Sequence, residues 1–201
     1  MYLFFDTETT GKPKNYKASV SDVDNWPRLI QLAYQLQDRF GVVLDQGDYI
    51  IKPDGFVVPE EASNIHGISN AHAVCEGILI VDALNNFKMA MDKAEYLVAH
   101  NISFDEKVMG AEFIRMTGEN PIAGKAKICT MLRTVNFCAI DGPYGYKWPK
   151  LSELHPKLFL SDFQEAHNAA VDITITAKCF WELKKRRVIS ISSESIPKVK
   201  E

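Results

Sequence analysis

Apolar residues crowd the start of the chain and then give way at once to acids. YLFF at 2–5 is an unbroken apolar run, the pattern of a strand buried on both faces, and it leads directly into Asp6 and Glu8. LIQLAYQLQD (29–38) alternates apolar and polar residues with period two, as does much of VVLDQGDYIIK (42–52). With Arg39-Phe40-Gly41 as the turn between them, these predict a strand and an antiparallel partner. The polar stretch 11–27, with Gly11, Pro13 and Pro27, reads as a loop. After Pro59 the pattern turns helical and irregular through EEASNIHGIS (60–69), and Ile80, Leu84, Phe87 and Met91 predict a longer helix over 79–93. YLVAH (96–100) is a compact buried strand followed by a helix over 104–117, and KICT (127–130) supplies a fifth strand before a helix containing Met131, Leu132, Val135 and Phe137. The Gly- and Pro-rich stretch 141–150 reads as loop, LSELHPKLF as a brief helical piece broken near Pro156, and 167–186 as the last helix.

An antiparallel run followed by alternating strands and helices predicts an α/β fold: a mixed five-stranded sheet, three antiparallel strands first and then parallel ones, flanked by helices. Functional sites in such sheets gather at strand ends, which would bring Asp6, Asp105 and the last helix together. A chain of 201 residues, 46% hydrophobic, can build one core. We expect one domain over 1–188 and a loosely held tail over 189–201. No apolar run approaches the ~18 residues of a membrane span, and MYLFFDTETT lacks a basic region and a cleavage site, so a cytoplasmic protein without a membrane partner is expected. Cys75, Cys129, Cys138 and Cys179 form no Cys-x-x-Cys pair, which predicts reduced structural thiols rather than a zinc site.

Asp6 and Glu8 stand two apart at a strand end, so period two puts both side chains on one face, within reach of one ion; a solvated strand end is the plainer reading. Asp105 follows the strand YLVAH and is either a ligand or a favourable acid in the first turn of a helix. His100 and Asn101 read as hydrogen-bonding residues that fix the loop, and Phe104 as core packing or as a platform for a base. His167 and Asp172 lie five apart, about 140° net on a continuous helix. They can converge if His167 sits in the preceding loop while Asp172 projects from the helix. Asp172 interrupts the largely apolar AAVDITITAKCFW, where a carboxylate is costly unless it is paired, ligated or facing solvent. Carboxylates gathered this densely need cations, and oxygen ligands favour Mg²⁺ or Mn²⁺ over zinc. The net charge of −3 does not exclude a nucleic-acid ligand, since discounting four metal-bound carboxylates moves it to +1. Absence of a Gly-rich phosphate loop weakens an alternative as a metabolite-binding protein.

FDTETTG, HNISFD and H-x4-D in HNAAVD, in that order, resemble the DEDDh family of 3′→5′ exonucleases, the proofreading-exonuclease branch of the ribonuclease H-like fold. SNIHGIS (63–69) and KWPKLSELHPKLF add to the likeness, which runs from residue 2 to about 186. The related branch has a tyrosine four positions before the last aspartate, where this chain has Asn168, so the histidine branch is the better match. The resemblance implies a ribonuclease H-like sheet and two divalent cations, Mg²⁺ or Mn²⁺, held by Asp6, Glu8, Asp105 and Asp172, with His167 as general base. An imidazole with an ordinary pKa of ~6.5 suits that task. It further implies a terminal nucleotide held by Thr7, Thr9, Ile65, His66 and Phe104, and release of nucleoside 5′-monophosphates from single-stranded DNA or RNA 3′ ends, DNA slightly favoured. A polymerase or repair assembly is a further implied partner. The alternative is a non-catalytic nucleic-acid-binding or polymerase-associated module of the same fold. Tyr144, Tyr146 and Trp148, interleaved with Lys147 and Lys150, suit stacking on a single strand as well as they suit ordinary loop packing.

Overall fold

The first strand, β1 (Tyr2–Thr9), lies at the centre of a five-stranded sheet, and its alternation divides the interior in two. The computed structural model describes residues 1–161 and 167–191. β2 (Leu29–Gln37) pairs antiparallel with β1, and β3 (Val43–Ile50) pairs antiparallel with β2. β4 (Tyr96–Ala99) and β5 (Ala126–Cys129) continue the sheet in parallel on the other side of β1, giving the order β3-β2-β1-β4-β5. The expected mixed sheet is thus observed, with its antiparallel strands first.

Helices α1 (Glu60–His66), α2 (Asn70–Glu76) and α3 (Ile80–Lys93) precede β4, and α4 (Ile102–Thr117) follows it. Two single-turn helices, α5 (Thr130–Arg133) and α6 (Val135–Cys138), occupy the place expected for one helix. The break falls at Thr134, whose hydroxyl bonds back to the Thr130 carbonyl at 2.7 Å. Then come α7 (Leu151–Phe159) and α8 (Ala169–Lys185). Leu3 and Phe5 of β1 enter a core with Leu84, Phe87 and Met91 of α3 and with Val108 and Phe113 of α4. Tyr2 and Phe4 point the other way, into a core with Leu154 and Leu158 of α7 and Phe180 and Leu183 of α8. Each such side chain contributes roughly 1.5–3 kcal/mol by burial.

The polar positions of β2 are turned to α8, with Gln31 and Gln37 buried and Gln35 half-buried. They carry α8 across the sheet: Gln31 Oε1 accepts from the Ala169 N–H (3.3 Å), Gln35 Nε2 donates to the Thr174 hydroxyl (3.4 Å), and Gln37 Oε1 accepts from Trp181 Nε1 (2.6 Å). Ala33, between them, packs on Ala169 and Ile173.

Three local expectations need correction. Pro156 does not break α7, because Leu151, Leu154 and Leu158 bury one continuous face on either side of it. Stretch 141–150 is not all loop, since β6 (Asp141–Gly142) and β7 (Gly145–Tyr146) form a small hairpin around the turn Pro143-Tyr144, with Gly145 at φ +113°. Stretch 11–27 is tightly organised and includes a 3₁₀ turn at Val23–Asn25. Side-chain amides clasp it: the Asn15 N–H donates to Asn25 Oδ1 (2.7 Å), and Asn25 Nδ2 donates back to the Asn15 carbonyl (3.0 Å). It lies so close to α4 that a Cβ at Gly110 would come within 2.9 Å of Val20.

Of the tail expected over 189–201, Ile189 is buried in the second core, and residues 192–201 lie outside the described residues. All four cysteines are free thiols. Among the described residues, no helix is long and apolar enough to cross a membrane.

Candidate active site

Asp6 and Glu8 continue the even-numbered face of β1 set by Tyr2 and Phe4, so both project toward α8. Asp6 pairs in register with Ala33 and Glu8 with Gln31, the β2 residues that touch the start of α8. Asn168 caps that helix, its side chain accepting from the N–H groups of Ala170 (3.1 Å) and Val171 (3.2 Å). Asp172 therefore stands in the first turn of a fixed helix, where the helix dipole favours negative charge. One carboxylate oxygen from each of Asp6, Glu8 and Asp172 lies within 4.8 Å of the other two.

Odd-numbered Thr7 faces the opposite way, toward α4. Its backbone N–H (3.1 Å) and hydroxyl (2.7 Å) both donate to Oδ1 of Asp105, which is 3% exposed. Asp105 is thus tied to the residue between Asp6 and Glu8 while remaining outside the three-carboxylate set. Burial pushes the Asp105 carboxyl up to about 7, against the Thr7 hydrogen bonds that pull it down. Glu8 is pushed up to about 8, first by burial and then by the neighbouring charges of Asp172 and Asp105. Three acids this crowded resist full ionisation unless a cation offsets their repulsion. An all-oxygen donor set of this kind fits a hard divalent ion.

His167 lies exposed just outside α8, in left-handed backbone at φ +44°, so the histidine and Asp172 do not share one continuous helix. His100 fixes a loop: its ring is held between the Thr130 hydroxyl and the Pro149 carbonyl, both at 2.9 Å. Because a carbonyl can only accept, Nε2 carries the proton.

Of the five residues expected around a terminal nucleotide, Ile65 and Phe104 line two different clefts, and Thr7, Thr9 and His66 are buried. Ile65, 59% exposed, lines a cleft of about 570 Å³ with Thr10, Lys12, Lys14 and Trp26. Phe104, half-buried against the first core, lines a second of about 320 Å³ with Tyr16, Lys107 and, again, Trp26. Thr9 and His66 are buried between strand and helix. His66 accepts at Nδ1 from the Ile68 N–H (3.1 Å), and burial lowers its pKa. The left-handed Gly67, φ +77°, ends α1 just past this pair.

Two features went unrecognised in the sequence. Trp26 is the wall common to both clefts. Glu112, wholly buried, receives the Arg28 guanidinium and the Leu29 N–H (2.9 and 3.0 Å) and pairs with Arg115. An acid inside the apolar stretch VMGAEFI was the available signal for the second.

The sequence profile of the exonuclease family RNase_T matches residues 3–180. A comparison with curated protein sequences finds no match. Among solved structures, the zinc-bound form of E. coli exonuclease I in complex with single-stranded DNA superposes with a TM-score of 0.70 at 20% identity, over 92% of this chain and 40% of that one. E. coli exonuclease I in complex with a dA16 oligonucleotide gives 0.69 at 18% identity, over 93% and 41%. Exonuclease X in complex with 5′-overhanging duplex DNA gives 0.65 at 22% identity, over 96% of both chains. The chain therefore spans about 40% of the exonuclease I chain, and at these identities the likeness is one of fold.

Proposed function

The chain belongs to the exonuclease family RNase_T, and from that premise we propose that it hydrolyses nucleic acid from 3′ ends, one nucleoside 5′-monophosphate at a time, DNA in preference to RNA. The observation that carries the reading is the convergence of Asp6, Glu8 and Asp172 within 4.8 Å, with Glu8 held near 8 by burial and by its acidic neighbours. Those three residues would hold two divalent cations, Mg²⁺ or Mn²⁺, with Asp105, bonded to Thr7 between Asp6 and Glu8, supporting the second. When bound, the cations supply charge to polarise the phosphate, acidify water and offset negative charge on the departing oxygen.

His167 takes the proton of the attacking water as general base. The water oxygen bonds to phosphorus, the bond from phosphorus to the 3′ oxygen breaks, that oxygen takes a proton from solvent water, and the strand is left one nucleotide shorter with a 3′ hydroxyl. Thr7 orients the Asp105 carboxylate by two hydrogen bonds to its Oδ1. Thr9, Ile65, His66 and Phe104 hold the terminal nucleotide. The place of Thr9 next to Thr10, which lines the Ile65 cleft, and of Phe104 beside Asp105 in sequence support that assignment. The exonuclease I and exonuclease X structures compared above were determined with single-stranded DNA and with 5′-overhanging duplex DNA, which favours the same ligand class here.

The test is a time course with 5′-labelled single-stranded DNA and RNA in Mg²⁺, Mn²⁺, Ca²⁺ or EDTA. A ladder shortening from the 3′ end in Mg²⁺ or Mn²⁺, with little change in Ca²⁺ or EDTA, is expected. Internal cuts or release from the 5′ end would overturn the reading. Strand binding without turnover would point to the non-catalytic module instead.

A further inference from the structure

We propose that the clasped loop 11–27, the first turn of α4 and the hairpin β6–β7 form an aromatic track for the unpaired nucleotides preceding the terminal one. The proposal rests on the exonuclease reading for its position and direction. Three clefts lie in series, joined by shared walls. Trp26 belongs to both the Ile65 cleft and the Phe104 cleft, and Trp148 belongs to both the Phe104 cleft and a third, of about 570 Å³, against the hairpin. The middle cleft is lined by Phe104, the residue before Asp105 in the first turn of α4.

The rings are held in place: Trp26, 3% exposed, is the fixed wall between the first two clefts, and the accessible faces belong to Tyr16, Trp148 and Tyr144. Trp26 donates Nε1 to the Ser19 carbonyl (3.0 Å), and Arg115 donates to the Trp26 carbonyl (2.7 Å). Lys107 ties the loop to α4 through the Tyr16 carbonyl (3.0 Å) and lies 5.1 Å from the centre of the Trp26 ring. At the other end, His100 fixes the Pro149 carbonyl next to Trp148. Yet Tyr16 is 56% exposed, Trp148 65%, and Tyr144 at the hairpin tip wholly so. Large rings fixed by their backbones and left facing water mark a binding surface.

Charge favours an anionic occupant in two of the three clefts: Lys107 stands in the middle one and Lys147 in the third, neither with an acid in its lining, while Lys12 and Lys14 share the first with Asp24 and Glu61. That combination suits a single strand, whose bases offer free π faces and whose phosphates are anionic. A paired duplex end has its base faces already stacked, so it cannot supply more than its last face to these rings. The track therefore selects 3′ ends with several unpaired nucleotides.

Affinity tests this without relying on turnover. Fluorescence anisotropy would be measured in Ca²⁺ with 5′-labelled dT12, rU12, a blunt duplex and the same duplex carrying a three-nucleotide 3′ overhang. Trp148→Ala should weaken dT12 binding by about 10-fold, within the range of about 5- to 150-fold for loss of one stacked base. Wild-type protein should prefer the overhang to the blunt end by a similar factor. Trp148 is exposed, and an unchanged melting temperature would show that the variant folds. A loss with dT12, rU12 or both supports the track and identifies its strand; equal affinity of variant and wild type for both, or for blunt and overhanging ends, overturns it. Failure of the exonuclease reading would look different: normal strand binding with no shortening in Mg²⁺.

Discussion

At the scale of single residues, the account turns on four acids that differ in surroundings more than in chemistry. Asp172→Asn keeps the shape of the side chain and removes one anionic ligand, so turnover in Mg²⁺ should fall by at least about 100-fold with the fold intact. A near-normal rate would contradict its role. Glu8 gives a less obvious expectation. Its carboxyl titrates near 4.5 when unfolded and near 8 when folded, so the folded state binds the proton more tightly. Its contribution to stability is complete below about 4.5 and is lost as pH rises through about 8. Glu8→Gln should therefore be inactive yet, in EDTA above pH 8, more resistant to heat than wild type. Parallel loss of activity and stability in that variant would refute the repulsion on which the metal assignment depends. For His167→Ala, removal of a general base should lower kcat by about 10²–10⁴-fold with little change in KM.

At the scale of elements, the decisive fact is the parity of β1. Even positions send Tyr2, Phe4, Asp6 and Glu8 toward α8, and the odd Thr7 meets Asp105 of α4. This much was legible, because YLFF followed by Asp-x-Glu states a strand and its face. The separation of His167 from the helix of Asp172 was legible only as a condition, since periodicity placed the helix start at 167; the cap at Asn168 is what leaves the histidine outside. The loop 11–27 was not legible. Its order comes from Asn15 meeting Asn25 and from Arg115, distant in sequence, reaching the carbonyls of Val23 and Trp26. Local composition can state that such a stretch is polar, but not that its backbone groups find these partners. Pro156 misled for the opposite reason, since tertiary burial of Leu154 and Leu158 outweighs a local helix-breaking preference. Glu112→Ala should cost about 3–5 kcal/mol, because it strands Arg28 and Arg115 at a buried pairing site. Urea unfolding measures that loss, and limited proteolysis should show earlier cutting within 11–27. An undisturbed loop would mean that the Glu112 cluster does not anchor it.

At the scale of the whole molecule, the order of strands and helices could be read from periodicity, since the switch from period two to three- and four-residue spacing marks each element. What periodicity could not supply was the way β2 serves α8: its glutamines look like a solvated face and are in fact bonded to the helix that carries Asp172. The two cores and the acidic cluster are thereby coupled, and cations that bind the folded cluster should stabilise the entire fold. Raising Mn²⁺ should lift the melting temperature, and by more at pH 8 than at pH 5, because protons compete for Glu8 and Asp105 at the lower pH. The central claim is that Asp6, Glu8 and Asp172 form one cation-binding centre. Anomalous diffraction from crystals soaked in Mn²⁺ tests it most directly: strong peaks among those three carboxylates are predicted, and manganese bound elsewhere with that cluster left bare would contradict it.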